Sequence, residues 1–220
     1  MLGWAVMDIN FLGHASFRLK GKSATVVTDP YDDSLGLKSP KVSADIVTVS
    51  HDHFDHNKVS KVSGVQRVID GPGEYELLGV SVIGIGSFHD DKKGELRGKN
   101  TIFVIEIDGM RVVHLGDLGH KIKSKRAEAI GEVDILFVPV GGEWTIDASV
   151  AVEVVHTLEP KIIIPMHYKM EGLNSQMYAK LAPVEDFLSD LEIKSQKLPA
   201  LKIKKEDLPQ EEQIIYILEK

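Results

Sequence analysis

Apolar and polar positions alternate through the first half of the chain in short β-like runs that end in Gly, Asp or Pro: INFLGHASFRL, SATVVTDP, and ADIVTVS at 44–50. Lys20-Gly21-Lys22 offers a hairpin turn between the first two. Two longer β-rich stretches follow. RVIDGPGEYELLGVSVIGIGSF turns at Leu78-Gly79, and TIFVIEIDGMRVVHLGD turns at Asp108-Gly109. The second is the clearer hairpin, because Asp-Gly accepts the positive φ angles of a type I′ turn.

Helical patterns come later. Residues 123–130 predict one short helix and 148–158 another, with Ala151, Val152, Val155 and Leu158 on its buried face and Pro160 just beyond it. VDILFVPV at 133–140 and KIIIPMH at 161–167 are continuous apolar runs, which suit strands covered on both faces. A third helix starts at Pro183, where Glu185 and Asp186 suit the positive end of the helix dipole. ALKIK and QIIYILE read as closing strands, and the second could pair across a homodimer. No linker or low-complexity tract intervenes, so the pattern predicts one α/β domain over 1–220, a sandwich of strand-rich halves with helices outside. TVSHDHFDH and VVHLGDLGH, each an apolar strand delivering His and Asp, hint at internal duplication.

Composition narrows the chemistry. A chain of 220 residues, 43% apolar and 27% charged, can build a large core, burying roughly 70% of its unfolded surface. Net charge is −7, so no global positive field gathers nucleic acid, although a small anionic substrate could be held by local cations. With no cysteine there are no disulfides, thiolate metal sites or cysteine nucleophile, and any metal must be held by nitrogen and oxygen. The start, MLGWAVMDINFLGHASF, lacks a basic segment followed by a long apolar one, and no run reaches the ~20 apolar residues that span a bilayer. The expected location is the cytoplasm.

The strongest chemical signal is His51-Asp52-His53-Phe54-Asp55-His56, directly after ADIVTVS. Imidazole and carboxylate are the usual nitrogen and oxygen donors to zinc, and a loop after a buried strand is where a rigid scaffold presents function. This string, His-x-His-x-Asp-His, resembles the metallo-β-lactamase superfamily, and the resemblance runs through most of the chain. It implies an αββα four-layer sandwich of two mixed sheets flanked by helices, and a site for two divalent ions, Zn2+ foremost, with Mn2+ or Fe2+ as alternatives. In that family the first two histidines, here His51 and His53, share one metal with a later histidine, by order His89 in GSFHDD. Asp55 and His56 share the second with His167 in PMHY, and Asp117 in HLGDLGH bridges both. Each has a plainer reading: His89 as a loop residue, His167 as core, Asp117 as a turn aspartate.

FLGHASF, GPGEYE, HLGDLGH, PVGGEWTID and PMHY further resemble a bacterial and archaeal branch of small stand-alone zinc-dependent hydrolases near the ascorbate-phosphate lactonase-like group. The implied activity is hydrolysis of a small ester, lactone or phosphodiester, since two ions sharing a water lower its pKa toward neutrality. Competing readings are a nuclease-like phosphodiesterase and a metal-binding regulatory or scaffold protein without turnover. His53 stands where di-iron oxygen-reducing members place a glutamate, and no flavin-binding domain follows, which disfavours redox chemistry. Within the hydrolytic reading Asp55 also orients the nucleophile and passes a proton, and Asp117 holds the ions together. His120 donates to a substrate oxygen, shuttles a proton, or is a loop histidine. Arg97, Lys99 and Asn100 in GELRGKN clamp a phosphate or carboxylate, or form a solvated turn. Tyr168 donates to an oxyanion or simply packs; His14 and His114 orient ligands or sit in the core. Gly141, Gly142 and Trp144 form a loop whose indole walls a pocket.

Overall fold

The computed structural model describes residues 5–220. Its strands run β1 (Met7–Gly13), β2 (Ser16–Lys20), β3 (Thr25–Thr28), β4 (Val42–Ser43), β5 (Ile46–Thr48), β6 (Val62–Ser63), β7 (Arg67–Ile69), β8 (Gly73–Leu77), β9 (Val80–Phe88), β10 (Lys99–Ile107) and β11 (Met110–His114). Thereafter helices alternate with strands: α1 (Ser124–Ile130), β12 (Ile135–Pro139), α2 (Ala148–Leu158), β13 (Ile162–Met166), α3 (Val184–Ser189), then β14 (Ser195–Leu198), β15 (Leu201–Ile203) and β16 (Ile214–Leu218). One mixed sheet has the order β15-β1-β2-β3-β5-β7, the other β14-β16-β13-β12-β11-β10-β9-β8.

The sheets face each other across a core containing Ile9, Phe17, Phe103, Ile135, Phe137 and Met166. Phe17 from the first sheet and Phe137 from the second stack with ring centroids 4.0 Å apart. All five residues of β12 and of β13 are buried, because their other face is covered by the helices, as their unbroken apolar runs require. Helix α2 buries Ala151, Val154, Val155 and Leu158. Val154 rather than the expected Val152 completes the stripe, since 151, 154, 155 and 158 follow the i, i+3, i+4, i+7 rule of a straight helix. Asp147 caps α2 by accepting from the Val150 N–H at 2.9 Å.

The outer face of the first sheet carries Leu12, Val27, Val47 and Val49. Its cover is the ribbon β4–β6 and a 3₁₀ turn at Val59–Lys61, so this outer layer of the αββα plan is thin. Three sequence expectations shift. INFLGHASFRL is two strands, reversed at Gly13 and His14, both with positive φ (112° and 58°). The RVID run is divided: Arg67–Ile69 closes the first sheet, and Gly73 opens the second after Gly71-Pro72. QIIYILE is no free edge, because β16 is paired on both sides, with β13 and β14. Among the described residues no helix is long and apolar enough to cross a membrane.

Candidate metal centre

Six chain reversals meet at one end of the sandwich. The first sheet contributes the β1–β2 turn with His14, Asp29 after β3 and the 51–56 loop after β5; the second contributes His89 after β9, Asp117 after β11 and His167 after β13. The Oδ2 of Asp117 lies 3.3 Å from the Nε2 atoms of His56, His89 and His167 and 3.8 Å from that of His51. His51 Nε2 is 3.0 Å from His53 Nδ1. Donor atoms of His51, His53 and His89 all lie within 4.8 Å of one another, and so do those of His14, Asp55, His56 and His167. The structure therefore brings together all seven residues expected as ligands and adds His14.

Electrostatics explains what this arrangement lacks. Asp117 is 2% exposed, and burial alone would raise its pKa, yet His167 and His56 hold it well below the carboxylate range. Asp55 follows the same logic, with burial opposed by His56 and by its bond from His14. On His56, burial favours the neutral ring but Asp117 and Asp55 outweigh it and raise the pKa. Burial, with His56 nearby, pushes His51 down to about 3, so its ring is neutral and ready to donate a lone pair at pH 7. Two buried carboxylates thus call for positive charge, while Asp117 Oδ1 and His56 Nε2 are buried without hydrogen-bond partners. Paired nitrogen and oxygen donors with such orphaned atoms fit divalent cations.

The superfamily profile described as the Beta-lactamase superfamily domain matches residues 8–167, from β1 to the last histidine of the cluster. The chain belongs to the metallo-β-lactamase superfamily. A solved Thermotoga maritima protein, described as a Zn-dependent hydrolase of that superfamily, is 41% identical with a TM-score of 0.79, covering 96% of this chain and 98% of that one. A UPF0173 metal-dependent hydrolase of Thermoplasma volcanium is 32% identical, over 74% of this chain and 84% of its own length. CmlA, a diiron β-hydroxylase of Streptomyces venezuelae, shares the fold alone: 16% identity, TM-score 0.60, 93% of this chain against 55% of that one. The protein is accordingly a metal-dependent hydrolase of the metallo-β-lactamase superfamily.

In this metallo-β-lactamase chain a second ring of groups fixes the cluster. Asp29, itself at φ 41°, accepts from the Ser50 N–H at 2.7 Å and from its hydroxyl at 2.6 Å, and pairs with His56 Nδ1 at 2.9 Å; Ser50 Oγ also meets His51 Nδ1 at 2.9 Å. One carboxylate thus orients two of the clustered imidazoles. Gly116 is left-handed (φ 57°), and a Cβ there would lie 2.3 Å from Asn100 Oδ1, so only glycine lets the Asp117 loop pass. At the far side His167 N–H donates to His14 O at 2.8 Å, tying β13 to the β1–β2 turn.

Several sequence expectations are relocated. Asn100 is 1% exposed: its amide donates to Ser87 Oγ and Leu115 O, and its oxygen accepts from the Asp117 N–H at 3.0 Å, so it shapes the Asp117 loop, and it borders a groove apart from the cleft. Tyr168 is buried in the helix-side core, with burial raising its pKa to about 12, and does not line the cleft. His120 sits beside the site with both ring nitrogens engaged, Nδ1 with Lys121 O and Nε2 with the Phe88 N–H, which removes it from proton transfer. His114 is core, held between Ala15 O and the Gly116 N–H. Arg97 does reach the cleft and lies over the Trp144 ring at 5.5 Å; Lys99 lines a separate groove.

The cleft holds about 490 Å³ and is bordered by Asp55, Asp117, His53, Arg97, Trp144 and Tyr178. Tyr178 carries no signal in the sequence, yet its hydroxyl donates to Asp55 Oδ2 at 2.8 Å, beside His14 Nε2 at 3.2 Å on the same oxygen. The NSQMYAK segment has no periodicity that would mark it. Asp90 is also new. Its carboxylate accepts the N–H groups of Lys92, Gly94, Leu96 and Arg97 at 2.8–3.0 Å, building the loop that carries Arg97.

Proposed function

We propose that the hydrolase holds two divalent ions, one among His51, His53 and His89 and one among Asp55, His56 and His167, with Asp117 shared, and that it cleaves a small ester, lactone or phosphodiester. The observation that carries this reading is Asp117: one oxygen within 3.3–3.8 Å of four imidazole Nε2 atoms, the other buried and unpartnered. Histidine and aspartate suit zinc, and the same donors accept manganese or iron(II). When bound, such ions provide hydroxide at neutral pH and polarise a carbonyl or phosphoryl oxygen.

The chain's own residues supply the rest. Asp55 remains ionised and stands at the cleft, where it orients the attacking water and hands its proton to the leaving group. Tyr178, kept protonated chiefly by burial, holds Asp55 in place by donating its one hydroxyl hydrogen to Asp55 Oδ2 at the cleft wall. Arg97 has no acidic partner for its guanidinium among the described residues, so its donors are free for a substrate oxygen while Trp144 fixes its plane. A site drawing on residues from 14 to 178 supports reading 1–220 as one functional unit.

The test is His53→Ala and Asp55→Ala, with metal content measured by mass spectrometry and turnover measured on bis-p-nitrophenyl phosphate and lactones. Each variant is expected to hold fewer than two ions and to lose more than about 100-fold in turnover. Two ions and full activity in either would defeat the assignment.

A further inference from the structure

The described residues expose seven large hydrophobic side chains, and four of them, Phe54, Leu96, Trp144 and Met177, border the cleft described above. They come from four separate loops and are 37%, 67%, 43% and 44% exposed. Exposed apolar surface concentrated at a cleft mouth marks a ligand contact. Beyond His53 and Arg97, which border both spaces, lies a second groove of about 660 Å³ with a different lining: Asp52, Asp70, Ser87, Lys99 and Thr101. Its charged side chains are two carboxylates and, in Arg97 and Lys99, two cations. The cluster therefore stands between a cleft whose mouth carries four exposed apolar side chains and a groove that carries none of the seven but holds two acidic and two basic side chains.

We propose, resting on the hydrolase reading above, that the substrate is an amphipathic ester cut between an apolar alcohol group in the first cleft and a hydroxylated acyl group, bearing at most one negative charge, in the second. Asp55 sets the orientation, because the residue that hands a proton to the departing alcohol borders the first cleft and not the second groove. The oxygen of water bonds to the acyl carbon and the bond from that carbon to the alcohol oxygen breaks. One proton of the water ends on the alcohol and the other goes to solvent, leaving a carboxylate.

Two series of esters test this on the metal-loaded protein: n-alkyl glycerates from methyl to octyl, and methyl esters of alkanoic acids of matching length. In the glycerate series kcat/KM is expected to rise about threefold per methylene over the first steps, from burial of each added CH₂. Leu96→Ser and Met177→Ser should flatten that rise, and both positions are exposed enough to leave folding intact. A flat or falling glycerate series overturns the proposal, and a rise confined to the alkanoate series overturns the orientation. If no ester is cleaved, ligand-observed NMR with butanol, hexanol and octanol decides: tightening with length that Leu96→Ser abolishes upholds the apolar subsite while the hydrolytic reading falls. Absence of any length dependence sinks the subsite itself.

Discussion

Asp117 and Asp134 are both buried aspartates on the larger sheet, one following β11 and the other preceding its parallel neighbour β12, so they mark opposite ends of the sandwich. Asp134 is fully answered. Its Oδ1 receives Lys161 Nζ at 2.9 Å, and its Oδ2 receives Lys205 Nζ at 2.6 Å and the Arg111 N–H at 2.8 Å. Asp117 is answered by imidazoles instead and keeps one orphaned oxygen. Left-handed backbone at His14, Asp29, Gly116, Trp144 and His167 gathers around Asp117, whereas near Asp134 it is found at Gly131 and Glu159, which end α1 and α2. A carboxylate that only stabilises a fold is closed off by lysines anchored from solvent. One that serves chemistry is left incomplete, and the chain accepts local strain to keep it so.

The contrast breaks most sharply under parallel substitution. Asp117→Asn should abolish stoichiometric metal and lower turnover by about 10³-fold or more, while a chemical melt shows a folded protein. Asp134→Asn should retain metal and turnover but lose about 2 kcal/mol of stability, roughly 4–8 °C in Tm by calorimetry, because both lysines can still turn to water. If the two variants exchange phenotypes, the distinction is wrong.

Smaller effects sharpen it. His114 is buried neutral, its pKa lowered by burial below the ordinary 6.5. The unfolded chain takes up a proton there that the folded chain refuses, so this stability is complete above pH 6.5 and is lost as pH falls below it, at up to about 1.4 kcal/mol per pH unit. Urea midpoints measured from pH 8 to 5 should therefore decline, and His114→Asn should flatten the decline. Tyr178→Phe should lower kcat about tenfold with metal retained and KM little changed, since it frees Asp55 without removing it. His120→Ala should alter turnover less than about twofold, because both ring nitrogens already serve the backbone.

What could be read from the sequence was local. Asp108-Gly109 announces its own turn, and both residues adopt positive φ, 51° and 77°. The 51–56 loop announces its donors because histidines are dense there. Misplacements arose where a short-range signal was overridden at long range. Tyr168 adjoins a cluster histidine in sequence but, one residue on, points into the helix-side core, while Tyr178 in a patternless segment reaches Asp55 only through the tertiary fold. Asn100 has charged neighbours in sequence, yet it is buried in β10, two and four residues from Ile102 and Val104 of the helix-side core. Gly71-Pro72 was punctuation enough to end one strand before the next, and the apolar residues on either side obscured it.

The bond from His167 N–H to His14 O joins the two sheets at the cluster, and the donors themselves are split between those sheets. Under the proposed assignment a metal ion works as a clasp whose halves are synthesised at different times. The 51–56 half leaves the ribosome early, but it closes only after β13 has emerged and docked. A chain truncated before His167 would keep His51, His53, His89 and Asp117 but lose the partner of Asp55 and His56, so full metal loading would also report that synthesis had passed β13.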